Sequence, residues 1–573
     1  MKTRTIVGAA FAICAAIVIG AVGHSNFGGE EKVGEGIRTF ENYSQIQQVL
    51  SGIKEEPPIV YATGSEPVED LAEAPPAQSN AEGAAEKGSQ YSDTYIQVEG
   101  VDEADIIKTD GQYIYYTSRL GYDVVIAKVS NGKAEEAAVI SEEDLGITAE
   151  NLFLTGDRLV VTGMEYDTSE SYYAPTKAMV TAACIYDVST PEKPEFIGMY
   201  RQTGGYSSAR VTNGYLYLIS NDYLNTGEQR IVPSAGADKD YDKLPAKHIS
   251  CFPQPYQRAY AVIGSVKVNS AKGGLKTKTR AVLGASESIY CSGSAIYMTD
   301  FRLDYNESAP ESTDEKTYIM KANIGKGRID FAAQGSVRGR INDQFSMDEK
   351  DGFFRVAATA LVKGKDVNYL YVLDEDLKTV GKVKGFAAGE EIKAVRYIGD
   401  TAYVITYRQT DPLFVIDLSD PRAPEMLGSV KITGFSSLLV PEGENKLIGI
   451  GTATSEEEIG EVEDGVKIAL FDISDPMEPK VLDSMEYKNR TSDVQYDHRA
   501  LTVNSGDGWY AIPYYSWDDD TGGVLQFRAA GDQLEKLGDY EAEQGIDRCL
   551  FIDGYIYGLE SYEDKIISWK RAH

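Results

Sequence analysis

A short pattern returns along most of this chain: Gly, a polar residue, two variable positions, Tyr or Val, an apolar residue, a variable position and Thr or Ser. Its clearest copies are Gly156-Asp157-Arg158-Leu159-Val160-Val161-Thr162, Gly293-Ser294-Ala295-Ile296-Tyr297-Met298-Thr299 and Gly399 to Thr406. Each sets a turn-forming residue before an alternating β run, which is a hairpin signal. A second element follows some copies. Ile185-Tyr186-Asp187-Val188-Ser189-Thr190-Pro191 returns as Val415 to Pro421 and as Leu470 to Pro476. There the Asp and Ser side chains can hold a turn, and the prolines stop the strand.

Together these elements make a four-strand unit. Inner-strand pairs start near Asp105, Asn151, Ala209, Ser288, Phe345, Ala394, Ser436, Ala500 and Arg548. A four-strand unit at a period of ~40–50 residues is the mark of a β-propeller. The expected fold is therefore all-β, a propeller of eight or nine four-stranded blades over residues 92–573. The last copy, Arg548 to His573, is too short for a blade. A strand from the N-terminal side would complete it and close the ring. The chain holds 38 Tyr against 17 Phe, a bias that suits half-exposed pleated surfaces.

Three segments precede the body. Lys2 and Arg4 lead an apolar run from Ile6 to Val22, which reads as an export signal, cleaved after Gly23 or kept as an anchor. Residues 24–53 contain a short amphipathic helix, with Ile37, Phe40, Ile46, Val49, Leu50 and Ile53 at helical spacing over much of its length. Residues 54–91 are rich in Pro, Ala and Glu and read as a disordered spacer. The expected location is extracellular or at the cell surface, with the membrane reached through residues 6–22 if they are not removed.

The formal net charge is −33. A chain so acidic repels nucleic acid and anionic lipid. Cys184, Cys251, Cys291 and Cys549 are widely spaced, lack a CxxC and suit either one bridge, Cys251 to Cys291, or buried thiols.

At Ser92-Asp93-Thr94-Tyr95-Ile96-Gln97-Val98-Glu99-Gly100-Val101-Asp102-Glu103-Ala104-Asp105-Ile106-Ile107-Lys108-Thr109-Asp110-Gly111 the sequence resembles a family of bacterial secreted proteins with a C-terminal β-propeller domain, distantly related to WD-40 repeats. Tyr496-Asp497-His498-Arg499-Ala500 resembles a second shared segment. The resemblance implies a propeller, export and bacterial origin, and no particular reaction. Tyr95 stands where it leads one to expect Asn.

The first of these motifs is chemically unusual. Glu99, Asp102, Glu103 and Asp105 crowd together ahead of an apolar strand, and Glu99, Glu103 and Asp105 share a face if the stretch is extended. Such carboxylates repel unless neutralised. They suit an oxygen-ligand Ca²⁺ site, salt bridges to Arg or Lys from the closing blade, or a solvated face. Asp497 and His498 are the candidate acid/base pair. The acidic loop Trp517 to Gly523 lacks the spacing and terminal Glu of an EF-hand. The aromatic stretch Tyr514 to Trp517 could stack on sugar rings or pack between blades.

Three functions stay open. One is a surface-tethered binding module for a protein or glycan. Another is an extracellular hydrolase or lyase with its carboxylate/His site at the propeller mouth. The third is a purely architectural role. The hydrolase reading requires Asp497, His498 and one or more of Glu99, Asp102 and Glu103 to meet in one pocket.

Overall fold

A computed structural model describes residues 37–53 and, apart from short stretches of which 166–178 and 305–313 are the longest, residues 91–572. The apolar run 6–22 and residues 54–90 of the spacer lie outside the described residues, whereas Tyr91 is already part of the body. Among those residues there is no helix long and apolar enough to cross a membrane.

Each repeat becomes one antiparallel sheet. The described residues form nine sheets, eight with four or more strands and a last one with three. Their inner strands are Ile107–Thr109, Thr148–Thr155, Gly205–Thr212, Ile289–Cys291, Met347–Lys350, Glu391–Ile398, Phe435–Glu442, Thr502–Asn504 and Arg548–Ile552. These fall at or close to all nine positions that the repeat marks. The Asp-x-Ser turns form as their chemistry demands. Asp187, Asp417 and Asp472 accept from the backbone N–H of Ser189, Ser419 and Ser474 at 3.0, 2.9 and 2.9 Å.

What holds one sheet to the next is apolar packing between their faces. Tyr115, Ile126, Leu152 and Val161 join the first sheet to the second. Ile448, Ile468, Ile512 and Phe527 join the seventh to the eighth. Trp509, Val524, Phe551 and Ile556 join the eighth to the ninth. Ile114, Val125, Leu550 and Tyr557 return from the ninth to the first, so the ring is closed. Each such side chain, fully buried, contributes ~1.5–3 kcal/mol.

The N-terminal residues dock on the third sheet. Arg38–Thr39 pairs as an outer strand with Ile249–Cys251, and Phe40 N–H donates to the Ile249 carbonyl at 3.0 Å. The helix is confined to Tyr43–Gly52, capped by Asn42, with Ile46 and Leu50 buried. Ile37 and Phe40 thus belong to a sheet edge rather than to the helix. The described parts of the insert 221–255 are also built into the sheets. Its Ser234–Ala237 extends the second sheet and its Ile249–Cys251 extends the third, burying Leu244, Ala246 and Ile249.

Cys184, Cys251, Cys291 and Cys549 are all free thiols and all buried. Burial pushes Cys251 up to about 11 and Cys291 up to about 12. A thiol in that state is a small core residue rather than a nucleophile.

Candidate functional site

The segment from Tyr91 to Asp105 passes along the inner edges of the blades. Tyr91 bridges Ile552, and Ser92 N–H donates to the Phe551 carbonyl at 2.8 Å, which supplies an inner partner to the short ninth sheet. Tyr95 packs among the seventh- and eighth-sheet residues. Gln97 Nε2 donates to the Gln344 carbonyl at 3.1 Å, where the fifth sheet begins. Val98 touches the clusters on both sides of the fourth. Val101–Glu103 pairs with Gly205–Thr212 of the third. Asp105 exchanges backbone bonds with Leu152 of the second, at 3.1 and 2.7 Å, before the chain enters the first. The motif is therefore a strap that ties the ring together from inside.

The strap is not extended throughout. Val98 to Val101 forms a turn, closed by Val101 N–H to the Val98 carbonyl at 3.0 Å, with Gly100 at φ +75°. A positive φ at this position favours glycine. The turn points Glu99 into solvent, away from the other carboxylates. The shared face that an extended strand would give Glu99, Glu103 and Asp105 does not form.

Each remaining carboxylate meets its own cation. Asp102 accepts from Lys108 Nζ at 2.9 Å. Glu103 Oε2 lies 3.4 Å from Arg210 Nη2 and 3.3 Å from His498 Nε2. Glu103 Oε1 also accepts from the Gln97 backbone N–H at 2.9 Å. Asp105 Oδ1 accepts from Arg548 Nε at 3.0 Å. Arg548 reaches on to Asp497, which Arg499 Nε also meets at 2.8 Å. Arg499 Nη1 donates to the Ala104 carbonyl at 2.9 Å. Among the described residues, no group of three or more His, Cys, Asp or Glu is arranged to hold a metal ion.

The electrostatics follow from that pairing. Burial alone would raise Glu103, but Arg210 and His498 outweigh it and hold the carboxyl well below the usual range. Burial is likewise outweighed at Asp497 by Arg499 and Arg548. For Asp102, burial wins over Lys108 and the carboxyl is raised. Arg396 of the sixth sheet is wholly buried beside Tyr95, and burial draws it down to about 10 against Tyr95 and Asp348.

Asp497, His498 and Glu103 do come together. His498 Nδ1 is 3.9 Å from Asp497 Oδ1, and Phe345 lies edge-on at 5.3 Å between ring centroids. Yet the His498 side chain is 1 % exposed and Glu103 4 %. None of the three lines the cleft beside them. The three residues are thus neighbours without sharing that cleft.

That cleft encloses about 300 Å³ between the eighth and ninth sheets. It is built from four separated segments that antiparallel strand order brings to one face. Asp493 comes from the connector into the eighth sheet, and Tyr514 from the end of its second strand. Asp547 comes from the connector into the ninth. Glu560 ends its second strand, and Tyr562 and Glu563 come from the loop that follows. Sequence inspection singled out Tyr514 for its aromatic run. It gave no sign of the acidic lining, whose members are isolated in the chain. The acidic loop Trp517–Asp520 lies on the same face, with Trp517 exposed. Its Asp518 accepts from Asn489 Nδ2 at 2.8 Å, and Asp520 from the Tyr515 hydroxyl.

A closed ring of blades, strapped from within and carrying an acidic cleft on one face, defines a β-propeller. The chain belongs to the Beta propeller domain family, whose description matches residues 91–570. It is 28 % identical over 650 residues to an uncharacterized protein of Archaeoglobus fulgidus, covering 98 % of each chain. It is 29 % identical over 559 residues to uncharacterized protein MJ1554 of Methanocaldococcus jannaschii, covering 85 % of this chain and 83 % of that one. BamB from Moraxella catarrhalis is similar at 11 % identity and a TM-score of 0.31, over 82 % of this chain and 98 % of that one, too weak a likeness to inform function.

Proposed function

We propose that this chain is an exported propeller, held at the cell surface by residues 6–22 or released from it, that works as a binding module for a protein or glycan. The observation that supports this best is the use made of the ionisable residues. The His498 ring and the Glu103 carboxylate that hydrolysis would need are buried, and Glu103 and Asp497 are engaged by arginines, whereas the cleft beside them is open. Export is supported by the basic and apolar N-terminal pattern.

The docking face is the one that carries the cleft, because the loops after each second strand and the connectors between sheets gather there. Exposed Leu120, Tyr122, Trp517 and Tyr562 all lie on such loops. The opposite face carries the tight hairpins and the Asp-x-Ser turns, where Met477 is exposed.

The test uses the full chain in its own cells. Protease added to intact cells is expected to cut it, and crosslinking is expected to trap a surface partner. Trp517→Ala with Tyr562→Ala should reduce that crosslink by about tenfold, the effect of ~1.4 kcal/mol, while Met477→Ala leaves it unchanged. Protection from protease on intact cells, or equal loss from both faces, would overturn the reading.

A further inference from the structure

We infer that the interior of the ring holds one small monovalent anion, of the chloride class, between the Arg396 guanidinium and the Tyr95 hydroxyl. The site is separate from the docking face, and the inference does not depend on what the propeller binds there.

Three observations carry it. The first is Arg396 itself. It stands on the inner strand Glu391–Ile398 of the sixth sheet and is 0 % exposed. Its Nε, Nη1 and Nη2 all lack a hydrogen-bond partner among the described residues. A guanidinium is all donor and no acceptor, and it keeps its charge inside a protein. Burial draws Arg396 down to about 10, which still leaves it protonated at neutral pH. Buried charges are ordinarily paired, because an unpaired one gives up its hydration without compensation.

The second is Tyr95. It reaches Arg396 from the strap, and its buried hydroxyl also lacks a hydrogen-bond partner among the described residues. The two groups are close enough for each to feel the other's charge, but they do not meet in hydrogen-bond geometry. Burial raises Tyr95, so its hydroxyl keeps its proton and can donate. Two donor groups from distant parts of the chain thus meet without an acceptor. A negatively charged acceptor would satisfy both, through the charge-assisted hydrogen bonds that are the strongest of their kind.

The third is the charge balance. The carboxylate whose charge reaches Arg396 is Asp348, and Asp348 is already engaged. Arg355 Nε donates to its Oδ2 at 2.7 Å, and Arg355 Nη2 meets the same oxygen. Two guanidinium groups therefore share one carboxylate, and one positive charge is left over. A monovalent anion neutralises it. A dianion such as sulfate would overshoot, and it would give up more hydration on entering. Tyr95 is packed among Phe345, Leu438 and Val440, an apolar shell that suits a small ion with few partners. The ion would tie the sixth sheet to the strap beside Tyr95, as Arg548 ties the connectors to it.

The experiment measures urea unfolding of the full chain as chloride replaces gluconate at constant sodium, which fixes the ionic strength. An ion bound only by the folded state raises the folding equilibrium constant in proportion to its concentration, once that exceeds its Kd. A tenfold rise in chloride should then raise that constant about tenfold. Arg396→Met should abolish the dependence, and Tyr95→Phe should weaken it. Crystals of the parent grown in bromide should show an anomalous peak in contact with Arg396 and Tyr95. Equal stability in chloride and gluconate overturns the inference. So does a chloride dependence that either variant keeps in full, since the ion is then held elsewhere. If Arg396→Met does not fold, Tyr95→Phe and the bromide crystal decide, and a crystal without bromide between the two residues overturns the inference.

Discussion

Replacing Arg548 by alanine is expected to destabilise the protein by about 3–5 kcal/mol, as removal of one partner from a buried ion pair does. Arg548 is 7 % exposed and joins the strap to two connectors. Its Nε meets Asp105 at 3.0 Å, its Nη2 meets Asp497, and its Nη1 donates to the Asp547 carbonyl at 2.8 Å. Without it, Asp105 stays buried without its cation, and Asp497 depends on Arg499 alone. Arg548→Lys should recover only part of the loss, because one ammonium cannot span the positions a planar guanidinium reaches. Met477→Ala, on an exposed turn, should change stability by no more than ~0.5 kcal/mol. Chemical denaturation of the three variants beside the parent measures this. Arg548→Ala as stable as the parent would show that the strap is not held by this contact.

Acid should undo the Glu103 contribution, and the direction follows from its environment. The folded carboxyl is held below its unfolded value, so its stabilisation is present above ~pH 4.3, the ordinary glutamate value. It is lost as the pH falls from there through the folded pKa. Glu103→Gln should therefore be less stable than the parent by about 3–5 kcal/mol at neutral pH. The gap should narrow once the pH drops below ~4. Asp497 is held down in the same way. Acid will thus destabilise the variant too, and the difference between the two proteins isolates Glu103. Denaturant midpoints across the acid range provide the check, and a gap that is constant with pH would contradict the pairing.

The ring was readable in the sequence because each blade repeats one local grammar. Gly156, Gly293 and Gly399 announce hairpins by turn chemistry alone, and Asp187, Asp417 and Asp472 announce strand ends. Closure by the N-terminal side was readable from the shortness of the last unit. The fate of the acidic motif was harder to read. Arg210, His498 and Arg548 come to Glu103 and Asp105 from distant parts of the chain, and periodicity says nothing about which sheets meet at the axis. The turn at Gly100 removed Glu99 from the group, a local event that an extended reading misses. The cleft was invisible for the same reason as the ion pairs, since connectors and loops from four segments build it. The apolar residues of the insert 221–255 that are buried, Leu244, Ala246 and Ile249, are too scattered to show a period. The bacterial origin implied by resemblance finds no support in the two archaeal relatives.

The central claim is that Ser92 to Asp105 is a structural strap, built into the ring at almost every blade. Hydrogen exchange of the full chain tests this most directly, because amides bonded inside a cooperative core exchange only when that core opens. The amides of Ser92, Val101 and Asp105 donate to Phe551, Val98 and Leu152. They are expected to exchange as slowly as those of the inner strand Gly205–Thr212. Exchange as fast as that of the exposed loop 517–520 would contradict the claim, and would make the motif an appendage resting on a propeller that closes without it.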